Sequence, residues 1–187
     1  MSQTKLLLDT NVYLRLAYTI HPLLFVSFGD ENYTLYVIKD FQAEFNRQPR
    51  LRQNFPWVNE SKFKLNRKKL LTLSNQEKKD IKLAETYIWD QNISQAAGAS
   101  IVDVRALATG FVLDIPVITD DKGMIGLAES LGIKVMRILS LLSTMQKAGH
   151  INKTKIKELV GWLSYSNDLP YKNFIEDVNA EFGLDLF

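Results

Sequence analysis

The sequence predicts an α/β fold, specifically a three-layer α/β/α sandwich with a mostly parallel central sheet. Four short apolar runs, at residues 6–8, 34–38, 116–119 and 133–136, alternate with segments whose apolar residues recur every three or four positions. Strands separated by helices usually pair in parallel and are covered by helices on both faces. A chain of 187 residues suits a single domain with a sizeable core.

The first half of the chain predicts two strand–helix units. The first strand runs into Asp9, and Asp9 or Thr10 can cap the helix that follows. A second short helix is expected after Pro22. Asp40 follows the second strand and can cap a helix that ends before Pro49. The basic segment beyond that helix is expected to be less regular.

The middle of the chain carries clearer helix signals. Ser74 and Glu77 have the spacing of a capping box, in which each residue satisfies a backbone N–H of the other. Ser100 is expected to begin the next helix. The third strand follows, and a further helix ends at Gly132, a residue that suits the left-handed conformation after a helix.

Residues 138–187 predict further helices. Pro170 suits the first turn of the last one, and Gly183 suits its end. No linker rich in Gly, Pro or Ser separates this part from residues 5–137. We therefore expect a C-terminal helical extension that packs on that core, within a single domain covering residues 1–187.

Acidic residues cluster where the predicted strands end. Asp9 follows the first strand, Glu44 comes shortly after the second, and Asp120 and Asp121 follow the third. Asp103 lies on the helix that leads into the third strand. Taken singly, each acid also fits a helix cap or a solvated helix position. Open parallel sheets bind ligands at this edge, and a hard divalent cation relieves the repulsion between grouped carboxylates. The pattern predicts metal-assisted phosphodiester cleavage.

Three segments, in the same order along the chain, resemble the PIN-domain nucleases, a family that includes the VapC-type toxins. They are LLLDTNVYL at residues 6–14, VIKDFQAEF at residues 37–45 and SIVDVRALATGFVLDIPVITDDKGM at residues 100–124. The resemblance covers residues 5–137 and implies a PIN-like α/β/α sandwich. Each motif is short, and the ordered set carries the resemblance.

The resemblance also implies roles for individual residues. It matches four carboxylates to the catalytic and metal-binding positions: Asp9, Glu44, Asp103 and Asp121. Asn11 and Thr119 match supporting positions. Asp120 is an additional acid, so the fourth metal ligand is Asp120, Asp121 or both. The T-x-D spacing from Thr119 favours Asp121.

The same resemblance implies a metal-dependent endoribonuclease that uses Mg²⁺ or Mn²⁺, as one or two ions, with RNA as its substrate. The chain is longer than a minimal toxin of this family, since it adds a basic middle segment and C-terminal helices. It remains open whether the protein is the toxin of a toxin–antitoxin pair, with an antitoxin protein as partner, and whether it forms a homodimer.

Residues 47–82 form a basic arm. They contain eleven lysines and arginines against three acids, a local charge of +8 in a chain whose net charge is only +2. Such an arm suits a polyanionic substrate. The residues expected to bind nucleic acid are Arg47, Arg50, Arg52, Lys62, Lys64, Arg67, Lys68 and Lys69. Phe55, Trp57 and Phe63 lie among these charges and suit either stacking on unpaired bases or anchoring the arm to the domain. A solvated helix face or an acidic protein partner would use the same charges.

Composition narrows the remaining alternatives. There is no cysteine, so disulfides and thiolate metal sites are excluded, and neither His21 nor His150 receives a chemical role. No apolar run approaches the length of a membrane-spanning helix, and a cytoplasmic location is expected. A phosphatase that uses Asp9 as nucleophile would want a second aspartate where Asn11 stands. A non-catalytic binding module on the same scaffold remains the main alternative.

Overall fold

A computed structural model describes residues 3–186. Within this range the chain forms a four-stranded sheet in the order β2-β1-β3-β4, in which every neighbouring pair is parallel. The strands are β1 (Thr4–Leu8), β2 (Tyr33–Val37), β3 (Val117–Ile118) and β4 (Val135–Met136). The predicted α/β class and the parallel sheet are confirmed, although β3 and β4 are shorter than the apolar runs that predicted them.

Helices connect and flank these strands. The first group comprises α1 (Thr10–Leu16), α2 (Phe41–Arg47), α3 (Pro49–Asn54), a 3-10 turn (Pro56–Asn59), α4 (Ser61–Asn66) and α5 (Asn75–Ser94). The second group comprises α6 (Ile101–Leu113), α7 (Lys122–Leu131), α8 (Ile138–Lys147), α9 (Lys153–Tyr165) and α10 (Phe174–Phe182). The predicted capping box opens α5 at Ser74, and the helix expected to begin at Ser100 is opened by a second capping box, formed with Asp103.

Two hydrophobic cores lie on opposite faces of the sheet. Side chains alternate along a strand, so Leu6 and Leu8 enter one core while Leu7 enters the other. The first core contains α1, α2 and the C-terminal helices, and the second is built around α6 and α7. Because helices cover both faces of a parallel sheet, the arrangement is consistent with three α/β/α layers.

The C-terminal helices share the larger of these cores. Ile156 of α9 and Phe174 of α10 are fully buried in the same cluster as Leu6 of β1. An ion pair also fixes the α9–α10 connection, because Arg15 of α1 donates to the carboxylate of Asp168 at 2.9 Å. Residues 138–186 therefore pack directly against the sheet and its first helix.

Three details differ from the sequence-based expectation. The chain after Pro22 forms turns and bends rather than a second short helix. The middle segment, expected to be less regular, contains α3, the 3-10 turn and α4. The last helix begins at Phe174 rather than at Pro170. After Pro22, Leu23 and Leu24 are fully buried, but Phe25 adopts a left-handed backbone conformation with φ of 62°, which interrupts a right-handed helix.

None of the helices within residues 3–186 combines the length and the apolarity that crossing a membrane would require.

Helix α6 lies unusually close to β3 because it carries Gly110. A Cβ built on this residue would lie 2.4 Å from Cγ2 of Val117 and 3.1 Å from the carbonyl oxygen of Ile115. Val117 is fully buried and Ile115 offers rigid backbone, so neither neighbour can withdraw cheaply. The contact sets the distance between the helix that carries Asp103 and the strand that leads to Asp121.

We expect Gly110→Ala to lower the free energy of unfolding by about 1–3 kcal/mol, the usual cost of overpacking a core. Urea unfolding followed by circular dichroism measures the change. Gly126→Ala in α7 is the matched control, because its Cβ meets nothing within 4 Å. That control should stabilise the protein by up to about 1 kcal/mol through helix propensity. Equal effects of the two substitutions would contradict the close packing.

Candidate active site

The first predicted carboxylate, Asp9, is buried where β1 ends. It caps α1, and its Oδ1 atom accepts a hydrogen bond from the backbone N–H of Val12 at 2.6 Å. Its Oδ2 atom accepts from the hydroxyl of Thr119, which follows β3. The side chain is therefore held by two elements, and its capping role accompanies its place at the carboxyl edge of the sheet.

Glu44 reaches the same edge from α2. The hydroxyl of Thr10 donates a hydrogen bond to Oε2 of Glu44, and the amide of Gln48 lies 3.4 Å from Oε1. Thr10 is buried, whereas Glu44 is partly exposed. Sequence reasoning assigned no role to Thr10 beyond a possible cap, since only the tertiary structure brings it against α2.

Asp103 lies in the first turn of α6. The carboxylate of Asp103 accepts a hydrogen bond from the backbone N–H of Ser100 at 2.8 Å. In return, the hydroxyl oxygen of Ser100 accepts one from the backbone N–H of Asp103. The loop before this cap is clamped by Asn92, whose amide bonds to both the N–H and the carbonyl of Ala99. Asn92 is a buried polar residue on an otherwise solvated helix, a signal that sequence inspection passed over.

Asp121 is exposed and caps α7, accepting a hydrogen bond from the N–H of Met124 at 2.8 Å. The hydroxyl group of Thr119 makes two hydrogen bonds. Its oxygen accepts from the backbone N–H of Asp121 at 3.1 Å, and its O–H donates to the carboxylate of Asp9. Thr119 is thus a physical link between the first and fourth predicted carboxylates. Asn11, the other supporting residue, is exposed at the start of α1 beside Asp9.

The carboxylates influence one another electrically. Burial raises the pKa of Asp9 to about 7, against the hydrogen bonds from Thr119 and Val12, and the charge of Asp103 adds to the rise. Burial likewise raises the pKa of Glu44, and Asp103 again contributes. The pKa of Asp103 is raised by burial and further by Asp121. Asp103 is therefore the member whose charge couples to the other three.

The donor set fits a hard divalent cation, since it offers carboxylate oxygens alone. A nearby cation would favour the ionised forms that burial and repulsion now disfavour. Within residues 3–186, however, no group of three or more acidic or histidine side chains is arranged to hold an ion as it stands. Glu44 and Asp121 are the more exposed members, so these two side chains have the freedom to adjust.

Asp120 faces the start of α8 instead. Its Oδ1 atom accepts from Nε of Arg137 at 2.8 Å, and its Oδ2 atom accepts from the N–H of Ile138 at 3.1 Å. Both oxygens therefore have protein partners, whereas Asp121 offers its second oxygen to solvent. This geometry favours Asp121 over Asp120 as the fourth carboxylate of the group.

Arg67 does not have the exposure that a phosphate contact needs, and this part of the predicted RNA-binding set is wrong. Its guanidinium donates to the hydroxyl of Tyr13, the amide of Gln42 and the carbonyl of Val58, and it stacks on Phe41. Only 8% of the residue is exposed. An arginine with this many internal partners joins α1, α2 and the 3-10 turn and is unavailable to a ligand.

The predicted stacking aromatics are also inside the protein. Phe55, Trp57 and Phe63 are buried and pack around Tyr18 of the loop after α1 and around one another. They serve as core anchors, because a segment this rich in charge needs apolar contacts to dock on the domain. The prediction that they stack on bases is wrong.

The other basic residues predicted to bind nucleic acid are exposed. They are Arg47, Arg50, Arg52, Lys62, Lys64, Lys68 and Lys69. Nζ of Lys62 lies 3.6 Å from Oε2 of Glu60, and this exposed ion pair contributes little to the stability of the fold. These residues have the exposure that a polyanion contact would require.

A cleft of about 820 Å³ lies between the end of β2, α5 and α6, and its lining includes none of the four site carboxylates. Its wall includes Asp40 and Arg105, and Asp40 also influences the pKa of Glu44. Lys39, Lys78 and Lys82 line it as well, and none of the three forms an ion pair in the part of the chain that the structure describes. The sequence analysis counted Lys78 and Lys82 in the basic arm but gave no role to Lys39, because only the fold brings Lys39 opposite α5.

Comparison of the chain with models of protein families finds no matching family, and comparison with curated proteins and with solved structures finds no matching protein. The fold and the site together define an α/β protein with a four-stranded parallel sheet and acidic residues grouped at its carboxyl edge.

The raised pKa of Asp9 predicts an unusual dependence of stability on pH. Between pH 4 and 7 the folded chain keeps a proton that the unfolded chain has released, so ionisation of Asp9 weakens the metal-free fold as pH rises. We expect Asp9→Asn to remove this trend. Above pH 7 the variant should gain stability, with an upper bound of about 4 kcal/mol.

Urea unfolding in EDTA at several pH values measures this effect. Asp114→Asn is the control for losing a carboxylate, because Asp114 is exposed and its left-handed backbone also suits Asn. A marked destabilisation by Asp9→Asn at pH 8 would show that Asp9 is needed as an ionised cap.

Proposed function

We propose that this protein is a metal-dependent endoribonuclease that hydrolyses RNA phosphodiester bonds. The observation that carries the proposal is the placement of Asp9, Glu44, Asp103 and Asp121 at the carboxyl edge of the parallel sheet, where Asp103 adds to the raised pKa of both Asp9 and Glu44. Burial and mutual repulsion oppose the ionisation of Asp9, Glu44 and Asp103, and a bound cation would relieve both effects. Such an arrangement suits a site that a cation completes, and structural ion pairs would not require it.

The residues that would hold Mg²⁺ or Mn²⁺ are Asp9, Glu44, Asp103 and Asp121. When bound, one or two such ions supply an activated water and stabilise charge on the leaving oxygen. The chain's own residues orient the ligands. Thr119 and the N–H of Val12 hold Asp9, and Thr10 holds Glu44. The resemblance to PIN-domain nucleases supports the same assignment independently of these contacts.

RNA is the proposed substrate because the exposed lysines and arginines of the basic arm and of the cleft beside β2 suit a polyanion. Lys39, Lys78 and Lys82 in that cleft offer unpaired cations to phosphates. A toxin–antitoxin pair, a homodimer and a cytoplasmic location stay predictions. An acidic antitoxin segment would use the same charges, and inspection of the neighbouring open reading frame would test for such a partner.

A non-catalytic binding module is the second candidate. The observation that favours it is that no three acidic side chains within residues 3–186 are arranged to hold an ion. Isothermal titration with Mn²⁺ separates the candidates, because only the nuclease predicts metal binding that Asp9→Asn abolishes.

Purified protein should cleave single-stranded RNA in Mg²⁺ or Mn²⁺ and stop cleaving when EDTA is added. Asp9→Asn should reduce the rate by at least about a hundredfold, since it removes a charged ligand. Gel analysis of labelled RNA measures the rate. Asp114→Asn, prepared in parallel, controls for contaminating nuclease and should cleave normally. Persistent cleavage by Asp9→Asn or in EDTA would overturn the proposal.

The double substitution Lys78→Ala/Lys82→Ala should weaken RNA binding and make it less sensitive to salt. In a plot of the logarithm of the binding constant against the logarithm of the salt concentration, each lost phosphate contact reduces the magnitude of the slope by about 0.7 for a single strand. Fluorescence anisotropy in the Asp9→Asn background measures both quantities. The control is Lys153→Ala/Lys157→Ala, which removes the same charge from exposed positions on α9. Equal slopes for the two double variants would exclude the cleft as an RNA path.

A further inference from the structure

Arg137 follows β4 directly and therefore lies at the same edge of the sheet as the acidic site. The backbone N–H of Thr119 bonds to the carbonyl of Met136, so β3 and β4 end at the same level. Asp9 and Thr119 follow the corresponding residues of β1 and β3. With strands about 4.8 Å apart, the backbone of Arg137 lies about 10 Å from that of Asp9.

Asp120 holds this arginine through one nitrogen only. Nε of Arg137 donates to Oδ1 of Asp120 at 2.8 Å, and the carboxylate side chain is fully buried. Of the five N–H donors of a guanidinium, the four terminal ones have no hydrogen-bond partner within residues 3–186. The arginine side chain is 47% exposed. Its unpaired end therefore faces solvent while its inner end is anchored.

Tyr171 fixes the plane of the guanidinium. The central carbon of the Arg137 group lies 4.2 Å from the centre of the Tyr171 ring, within the range of a cation–π contact. Tyr171 belongs to the connection between α9 and α10, and the pair between Arg15 and Asp168 ties that connection to α1. The arginine is thus held by a buried carboxylate and an aromatic face, which lowers the entropy lost on binding a ligand.

We propose that Arg137 binds a phosphate of the RNA strand next to the one that is cleaved. This inference rests on the proposed ribonuclease function and assigns part of the substrate path. Two terminal N–H groups of a fixed guanidinium match two phosphate oxygens, a geometry that a lysine cannot reproduce. Asp120 and Tyr171 then act as positioning residues, and the C-terminal extension contributes to substrate binding.

A purely structural ion pair between Arg137 and Asp120 is the rival interpretation, and Arg137→Lys separates the two. Lysine keeps a cation beside the buried carboxylate, so thermal stability should change little. The single ammonium group of lysine pairs with Asp120, so the two terminal N–H groups that would bind two phosphate oxygens are lost. We expect RNA affinity to fall about tenfold, the effect of losing a charged hydrogen bond, and the log–log salt slope to fall by about 0.7.

The measurement is fluorescence anisotropy with a labelled oligouridylate, in the Asp9→Asn background with Mg²⁺ present. Arg137→Ala/Asp120→Asn removes both members of the pair, avoids an uncompensated buried charge and should bind as weakly as Arg137→Lys. The matched control is Lys134→Ala/Asp114→Asn, which removes the exposed pair at the other end of β4 and should bind like the parent.

Parental affinity and slope in both Arg137 variants would overturn this inference while leaving the nuclease proposal intact. A parent protein that neither binds nor cleaves RNA would overturn both. An oligoglutamate probe is measured alongside. If Arg137→Lys loses binding to this acidic peptide and keeps binding to RNA, the site belongs to an acidic protein segment and the RNA assignment is wrong.

Discussion

The hydrogen bonds made by the buried carboxylate of Asp9 are the constraint on which the rest of the site depends. One oxygen caps α1 through Val12, and the other accepts from Thr119 beyond β3. These bonds tie the first helix to the sheet, and Thr119 passes the connection on to Asp121. These bonds require the carboxylate of Asp9 to be buried, and burial disfavours its ionised form and raises its pKa to about 7. When Asp9 is ionised, the cost of this burial offsets part of the stability that its hydrogen bonds provide, and carboxylates perturbed in this way are common at functional sites, in agreement with the proposed role.

The two helix-capping aspartates illustrate how one residue can serve both fold and site. Asp103 accepts from the backbone N–H of Ser100, the residue that caps α6, and Asp121 caps α7 by accepting from the N–H of Met124. Each cap leaves a carboxylate oxygen free and puts the charge at the edge where the parallel strands end. At the other end of α6, Gly110 allows the helix to pack closely on β3.

The basic arm, which the sequence suggested for nucleic-acid binding, also has a packing role. The C-terminal helices, which the sequence suggested for packing, also contribute to the acidic edge. Much of the arm's aromatic content, together with Arg67, is buried and attaches the arm to α1 and α2. The C-terminal extension, whose apolar stripes indicate a packing role, also brings Tyr171 against Arg137 beside the acidic edge. The charge that is free to meet a polyanion thus comes from exposed residues of the arm, the cleft and the end of β4.

The sequence by itself determined the α/β class, the parallel sheet, the capping box at Ser74 and the helix start at Ser100, because these depend on local periodicity and on contacts three residues apart. It also brought the acidic residues to the ends of the strands. Only the tertiary structure decided which of two adjacent aspartates faces the site. Asp120 and Asp121 are indistinguishable by composition, but their environments differ, since the start of α8 takes up both oxygens of Asp120. The burial of Arg67 could not be predicted from the sequence either, because its hydrogen-bond partner Tyr13 is distant in the chain and charged residues are normally exposed.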